Sequence, residues 1–211
     1  MARGAAHPDG RSARAAQKRQ DRREQVLACA QRVFSRRGYH NTGVADIIAE
    51  AGVARGTFYL YFESKRAIFD ELLDRLLGLI VQSVRRIEVG PDAPPPLEQM
   101  LGMVCNVVAT LQAHRELTRI LLKTASGIDA DFDRKLDEFY GRLRERIKGA
   151  LVLGAEMQLV RPCDPDIASL CVLGSLKEVM EHYLARGGGQ SFDRERVSRE
   201  ILEYNLKGLF R

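Results

Sequence analysis

Residues 42–65, TGVADIIAEAGVARGTFYLYFESK, constrain this chain more than any other stretch. Val44, Ile47, Ile48 and Ala51 fall at i, i+3, i+4 and i+7, one apolar stripe on a short helix. Thr42 stands just before the stripe, where its hydroxyl is expected to cap the first free backbone N–H groups. Gly52 follows it directly, as suits a left-handed residue that closes a helix. After a tight turn, RGTFYLYF reads as a second short helix. Its Phe58 and Phe62, four residues apart, point back into the domain. Its other side carries Arg55, Gly56, Thr57, Tyr59 and Leu60, a small, polar and aromatic mixture that a core does not require. Two short helices around a glycine-containing turn form a helix-turn-helix, a motif that places its second helix in a DNA major groove.

Ala49, Ala51-Gly52-Val53, Gly56, Tyr59, Tyr61-Phe62 and Lys65, preceded by Thr42 and Val44, resemble the DNA-binding signature of the TetR family of bacterial transcriptional regulators. The resemblance covers roughly residues 20–70, and beyond them only the helical layout is similar. Two positions depart from the family pattern. Ala54 stands where a Ser commonly caps the recognition helix, and Arg66 where a Glu is common. The resemblance implies roles for individual residues. Thr42 is similar to the family's helix-capping, phosphate-contacting Thr. Arg55, Gly56 and Thr57 open the recognition helix nearest the base edges, where an Arg can pair bidentately with guanine. Tyr59, Tyr61 and Lys65 resemble phosphate clamps, which position without specifying. Ordinary packing is the alternative for the two tyrosines.

The charge supports a local nucleic-acid contact. Residues 1–65 carry 12 of the 33 Lys and Arg but only 6 of the 28 Asp and Glu; the remainder carries 21 and 22. A basic N-terminal part joined to a near-neutral larger one fits DNA contact confined to the former. At 211 residues the chain is long enough for one small and one larger core. No apolar run approaches the ~20 residues that cross a bilayer, so no membrane partner is expected. The N-terminus lacks the apolar segment of a secretory signal, which makes the cytoplasm the default compartment.

Helical stripes recur throughout and strand-like alternation is scarce, so the expected fold is all-α. Residues 1–20 are Ala, Arg, Gly and Gln with almost no large apolar side chain, and are expected to be disordered in isolation. Arg3, Arg11, Arg14, Lys18 and Arg19 make them a candidate arm along phosphates or in a minor groove; a solvated tail is the alternative. Residues 21–66 form the DNA-binding domain, opened by a capping box of Asp21 and Glu24. Val26, Leu27, Ala30, Val33 and Phe34 are its first apolar face, and Gly38 ends that helix. Ser64 caps a long helix expected to reach Ile87, a rod through which a distant event tilts the recognition helix. Residues 89–96, with three successive prolines, break the pattern. Residues 67–211 form the larger domain, with four or five further helices from Leu97. Asp164-Pro165 reads as a cap followed by proline at the first helical position. Gly187-Gly188-Gly189 ends that helix, and a last one spans about 193–210.

In the family, the last two helices pair with their counterparts in a second subunit, which implies a homodimer. Leu170, Leu173, Leu176, Val179, Met180, Tyr183 and Leu184 cover more than one face of the penultimate helix, and Gly174 allows close approach. Leu170, Gly174, Val197, Ile201 and Leu202 are the interface candidates; completing a monomeric core is the other reading. The family's larger domain also usually encloses a small-molecule pocket. Polar residues on apolar faces are the candidates to line it: Asn106, Thr110, Arg119, Tyr140, Lys177, Glu178 and His182. Arg119 or Lys177 meets either a ligand anion or an internal carboxylate such as Glu178.

Enzymatic chemistry needs a nucleophile with its base, a phosphate loop or clustered ligands, and none is visible. Glu178 and His182 share a helix face, where structural hydrogen bonding is a commoner role than metal binding. Cys29, Cys105, Cys163 and Cys171 form no CxxC pair, and a redox pair of Cys163 and Cys171 is the minor alternative. The four histidines form no metal cluster, and no cofactor is expected. The sequence thus reads as a homodimeric repressor that recognises a palindromic operator in double-stranded DNA and is released by an unknown small-molecule effector. The rivals are a non-specific DNA-binding protein without effector, which leaves some 140 further residues without a purpose, and a cysteine-based redox regulator.

Overall fold

The computed structural model describes residues 10–124, 130–186 and 192–209. Among these residues the structure is helical throughout, without strands: α1 (Gly10–Arg37), α2 (Val44–Ala51), α3 (Arg55–Tyr59), α4 (Lys65–Ser83), α5 (Pro96–Ala113), α6 (Arg115–Thr124), α7 (Ala130–Glu156), α8 (Pro165–Met180), a π-helical segment (Glu181–Arg186) and α9 (Arg194–Leu209). The chain divides into two compact units, residues 1–72 and 73–211.

In the first unit α1 lies on α2. Val26, Leu27, Ala30, Val33 and Phe34 are all buried, as their spacing requires, and so are Ile47, Phe58 and Phe62. Phe34 meets Phe69 edge-on with ring centroids 5.4 Å apart. Ile68, Phe69 and Leu72, the first two turns of α4, complete this core. The compact unit therefore ends after Leu72, not at residue 66. Gly38 and Gly52, at φ +78 and +60, end α1 and α2 in the left-handed region that glycine enters without strain.

Three local expectations fail in this unit. Helix α1 begins at Gly10, so residues 10–20 are helical rather than disordered, while Arg3 lies outside the described residues. Ala, Gln, Lys and Arg are all good helix formers, and extending an existing helix needs no new nucleus. Asp21 and Glu24 accordingly make no capping box; their carboxylates accept from Gln17 at 2.7 Å and Gln20 at 2.9 Å, one turn earlier. Thr42 does not cap α2 either. Its hydroxyl donates to the Gly38 carbonyl at 2.7 Å, and Asp46 takes over the cap by accepting from the Gly43 N–H at 2.8 Å.

The second unit holds the remainder of α4 and helices α5–α9. Helix α7 packs on α8, α5 on α9, and α6 on the π-helical segment. Phe132, Leu136, Phe139 and Leu143 of α7 and Val107, Val108 and Leu111 of α5 are buried. Asp164 caps α8, accepting from Asp166 N at 2.8 Å and Ile167 N at 3.3 Å ahead of Pro165. Helix α4 ends at Ser83, four residues short of Ile87, and the third proline, Pro96, opens α5. The triple glycine 187–189 and Phe210 lie outside the described residues.

Candidate nucleic-acid interface and effector cavity

Ion pairs between α1 and α2 hold the helix-turn-helix. Arg32 and Arg36 reach Glu50 at 3.1 and 2.5 Å, and Arg37 reaches Asp46 at 2.5 Å. Hydrogen bonds from Arg36 and then Arg32 hold the Glu50 carboxyl below its ordinary range. The Gly43 N–H, followed by Arg37, does the same for Asp46. Gln25 Nε2 donates to the Ala51 carbonyl at 3.2 Å, at the C-terminal end of α2. Arg23 pairs with Glu71 at 2.6 Å and lies over the Phe62 ring, 4.7 Å from its centroid.

Helix α3 begins at Arg55, and Ala54 at its cap position offers no side-chain hydrogen bond. Its inward side is Phe58; Arg55 and Gly56 are exposed, and Thr57 and Tyr61 are half-buried. Tyr59 is 45% and Leu60 79% exposed, so the described residues leave the outer face largely uncovered. The Arg55 guanidinium stands 5.9 Å from the Tyr59 ring centroid. A Cβ at Gly56 would meet nothing within 4 Å, so packing does not call for glycine there. Two candidate contacts are already engaged. Thr42 is 2% exposed with its hydroxyl on Gly38, so that group is not offered to a phosphate. Lys65 Nζ donates to the Tyr39 carbonyl at 2.9 Å.

The second unit contains a cavity of about 420 Å³. Its walls are almost entirely apolar: Met100, Met103 and Val104 from α5, Phe139 and Ile147 from α7, Leu173 and Leu176 from α8, and Leu202 and Leu206 from α9. Val84 and Ile87, beyond the end of α4, also contribute. Tyr140 and Lys177 reach this wall, with the Lys177 ammonium 5.7 Å from the Tyr140 ring centroid. Burial raises the Tyr140 hydroxyl pKa. The other pocket candidates lie elsewhere. The Thr110 hydroxyl is 3.2 Å from that of Ser83. Asn106, Arg119, Glu178 and His182 are exposed, the last edge-on to Tyr183 at 5.2 Å. Of the two cations only Lys177 lines the cavity, from an exposed position; Arg119 is exposed and off the cavity, so neither ion needs a buried counter-charge. The buried polar residue of α6 is instead Thr118, whose hydroxyl donates to the Leu111 carbonyl at 2.9 Å.

Sequence reasoning passed over Arg146 and Asn205, which also line the cavity. Asn205 was visible as a polar residue between Leu202 and Leu206. Its amide donates to Ser175 Oγ and the Ile201 carbonyl, each at 2.8 Å. Arg146 turns to the Val81 and Val84 carbonyls at the end of α4, a long-range choice without a sequence signature.

The interface candidates separate. Leu170 is 51% exposed and Gly174 is exposed, joined on the same stripe by Ile167 at 61% and Cys171. Val197 and Ile201 are buried within the chain, and Leu202 belongs to the cavity wall, because α9 spends its apolar face on α5. All four cysteines are free thiols, and the described residues contain no cluster of metal-ligating side chains. Among the described residues no helix is long and apolar enough to cross a membrane.

Residues 26–72 match the family described as bacterial regulatory proteins, tetR family. The fatty acid metabolism regulator protein of Bacillus subtilis is 24% identical over 190 residues, 88% of this chain and 94% of that protein. A match to the regulator YerO of the same organism spans only 35% of that protein. Among solved structures, NalD, the secondary repressor of the MexAB-OprM multidrug efflux pump in Pseudomonas aeruginosa, shares the fold with a TM-score of 0.76 at 21% identity, covering 92% of this chain and 98% of NalD. FadR of Bacillus subtilis in complex with stearoyl-CoA does so with a TM-score of 0.68 at 21% identity, covering 88% and 98%. A helix-turn-helix braced by α1 and these likenesses agree: residues 26–72 carry the DNA-binding domain of the tetR family of bacterial regulatory proteins, and the whole helical chain shares the fold of such regulators.

Proposed function

We propose that this DNA-binding regulator is a cytoplasmic homodimeric repressor, and that an apolar small molecule releases it from a palindromic operator. The observation that carries the reading is the outer face of α3, where Arg55, Gly56, Tyr59 and Leu60 are exposed. Arg55 reads a base edge, Gly56 lets the backbone come close, and Thr57, Tyr59 and Tyr61 hold phosphates. Lys65 adds charge at the edge of this surface while it anchors Tyr39. The two copies of α3 read two half-sites about one helical turn apart.

The dimer is formed through the exposed stripe of Ile167, Leu170, Cys171 and Gly174 on α8, an apolar surface that a solitary subunit leaves in water. The effector occupies the cavity. Its walls favour a ligand that is mostly hydrocarbon, with a polar end at Tyr140 and Lys177. A relative named for fatty acid metabolism and a similar fold holding stearoyl-CoA support a long-chain acyl compound. Binding favours a dimer whose recognition helices no longer match the groove spacing, a shift of population rather than unfolding.

The test is fluorescence anisotropy on a site recovered by selection from random duplexes. Arg55→Ala should relax sequence preference by about 1–3 kcal/mol at one base pair of each half-site. Stearoyl-CoA should release wild-type protein from that site, and Leu176→Trp, which fills the cavity, should block release without weakening DNA binding. Light scattering should give the mass of two chains. A single-chain mass at micromolar concentration, or equal loss on all sequences for Arg55→Ala, overturns the reading.

A further inference from the structure

The arginines along α1 fall into two groups. From residue 23 onward each has a carboxylate: Arg23 has Glu71, Arg32 and Arg36 share Glu50, and Arg37 has Asp46. Before residue 23 the pattern stops. Arg14, Lys18, Arg19 and Arg22 make no ion pair with any described residue, and every side chain from Ser12 to Arg22 is exposed. Arg22 donates only to the neutral Gln25, at 2.8 Å. Between Gly10 and Arg22 the sequence holds Arg11, Arg14, Lys18, Arg19 and Arg22 against the single acid Asp21. An unneutralised charge run of this kind has a partner outside the chain or none.

Position along the helix points to a partner. Arg14, Lys18 and Arg22 recur every fourth residue and so share one face. Continued by steps of three and four, that face runs through Gln25, Cys29, Arg32 and Arg36. These four meet α2: Gln25 at the Ala51 carbonyl, Cys29 at the Glu50 carbonyl at 3.6 Å, and the two arginines at the Glu50 carboxylate. The order shows that α1 points its N-terminal end beyond the C-terminal end of α2. The turn into α3 departs from that same end. The unpaired cations therefore continue the face of α1 that braces the helix-turn-helix, past the point where its internal partners end. At 1.5 Å per residue the stretch Gly10–Arg22 is about 20 Å long, enough to follow several phosphates.

We propose that the N-terminal three turns of α1 are a DNA-backbone contact, a preformed basic helix that binds phosphates flanking the half-site read by α3. The proposal rests on the DNA-binding reading of α3 for its location and separates from it in the test. A helix does this at lower entropic cost than a disordered arm, because the cations are already spaced on one face. The contact carries no sequence information and adds affinity that falls steeply with salt.

Two variants decide it. In R14A/K18A/R22A the stripe is removed. In R14A/K18A/R22A/A13K/A16K/Q20K the same number of charges stands on the opposite face. Each is titrated across salt concentrations against the selected site, in a duplex trimmed to the recognised bases and in one with about one helical turn, roughly 10 base pairs, added on each side. Wild type should bind the longer duplex more tightly, with a salt slope steeper by about five units, roughly 0.9 for each phosphate engaged by the three cations of each of the two subunits. Both variants should lose that difference and keep sequence preference, helix content and melting temperature, since none of the changed residues is buried. Equal wild-type affinity and slope on the two duplexes overturns the proposal, as does full recovery by the relocated charges. Should wild type show no sequence preference, the reading of α3 fails by itself. The slope difference between wild type and the two variants on any long duplex then still decides the role of the basic helix.

Discussion

Lys65 Nζ donates to the backbone carbonyl of Tyr39 at 2.9 Å and lies 4.3 Å from the centroid of the same residue's ring. One cation thereby ties the start of α4 to the loop after α1. Tyr39 in turn packs on Phe69, ring centroids 4.6 Å apart. The side chain that most resembles a phosphate clamp is also a strut of the first unit, and two of the three N–H donors of its ammonium remain for a ligand.

Lys65→Ala should therefore act twice. Loss of the charged hydrogen bond and the cation–π contact should cost about 1–2 kcal/mol of stability. DNA affinity should fall on all sequences alike, and the salt slope should shrink by about one unit for each of the two subunits. Thermal unfolding and anisotropy on the same preparation check both. An unchanged melting temperature would show the Tyr39 contact to be energetically idle, while unchanged affinity would remove Lys65 from the DNA surface.

The end of α7 offers a pair of opposite substitutions. Gln158 adopts φ +59, a left-handed conformation that costs a non-glycine residue energy, so Gln158→Gly should stabilise by about 0.5–1 kcal/mol. Four residues earlier, a Cβ on Gly154 would lie 2.7 Å from Val160 Cγ2. Gly154→Ala should destabilise by about 1–3 kcal/mol, and Val160→Ala in the same chain should recover much of that. Denaturant unfolding measures both; a neutral Gly154→Ala would mean that the loop yields without cost.

The α1–α2 clamp should be sensitive to acid. Glu50 and Asp46 are held below their ordinary pKa by Arg36 and Arg32 and by the Gly43 N–H and Arg37. A carboxylate with a depressed folded pKa contributes stability above its unfolded pKa and loses it as pH falls through the folded value. At neutral pH, Glu50→Gln should melt below wild type. The gap should close as pH drops below the ordinary carboxylate range, because wild type then loses the same charge. A gap independent of pH between 7 and 3 would show that the ion pairs add nothing.

The basis of these effects was unequally legible in the amino-acid order. Helical period, the glycines at 38 and 52, the Asp164-Pro165 start and the inward pair Phe58 and Phe62 follow from interactions spanning no more than about one turn, so the order of residues determines them. What lay beyond reach depended on which distant surface each side chain meets. Val197 and Ile201 form an apolar stripe whatever they face, and only the packing of α9 on α5 turned them inward. Thr42 bonds back to Gly38 rather than forward into α2 because the helix starts one residue later, with Gly43 at the cap position and Asp46 closing on its N–H. Arg119 sits among apolar neighbours in sequence, yet a helix against one surface still has a wet side, and the residue occupies it. The cavity is likewise a product of assembly, since it lies between helices far apart in sequence and none of them encloses it alone. Local hydrogen bonding decided where helices begin and end; long-range packing decided which faces of those helices remain free to meet DNA, a ligand or a second subunit.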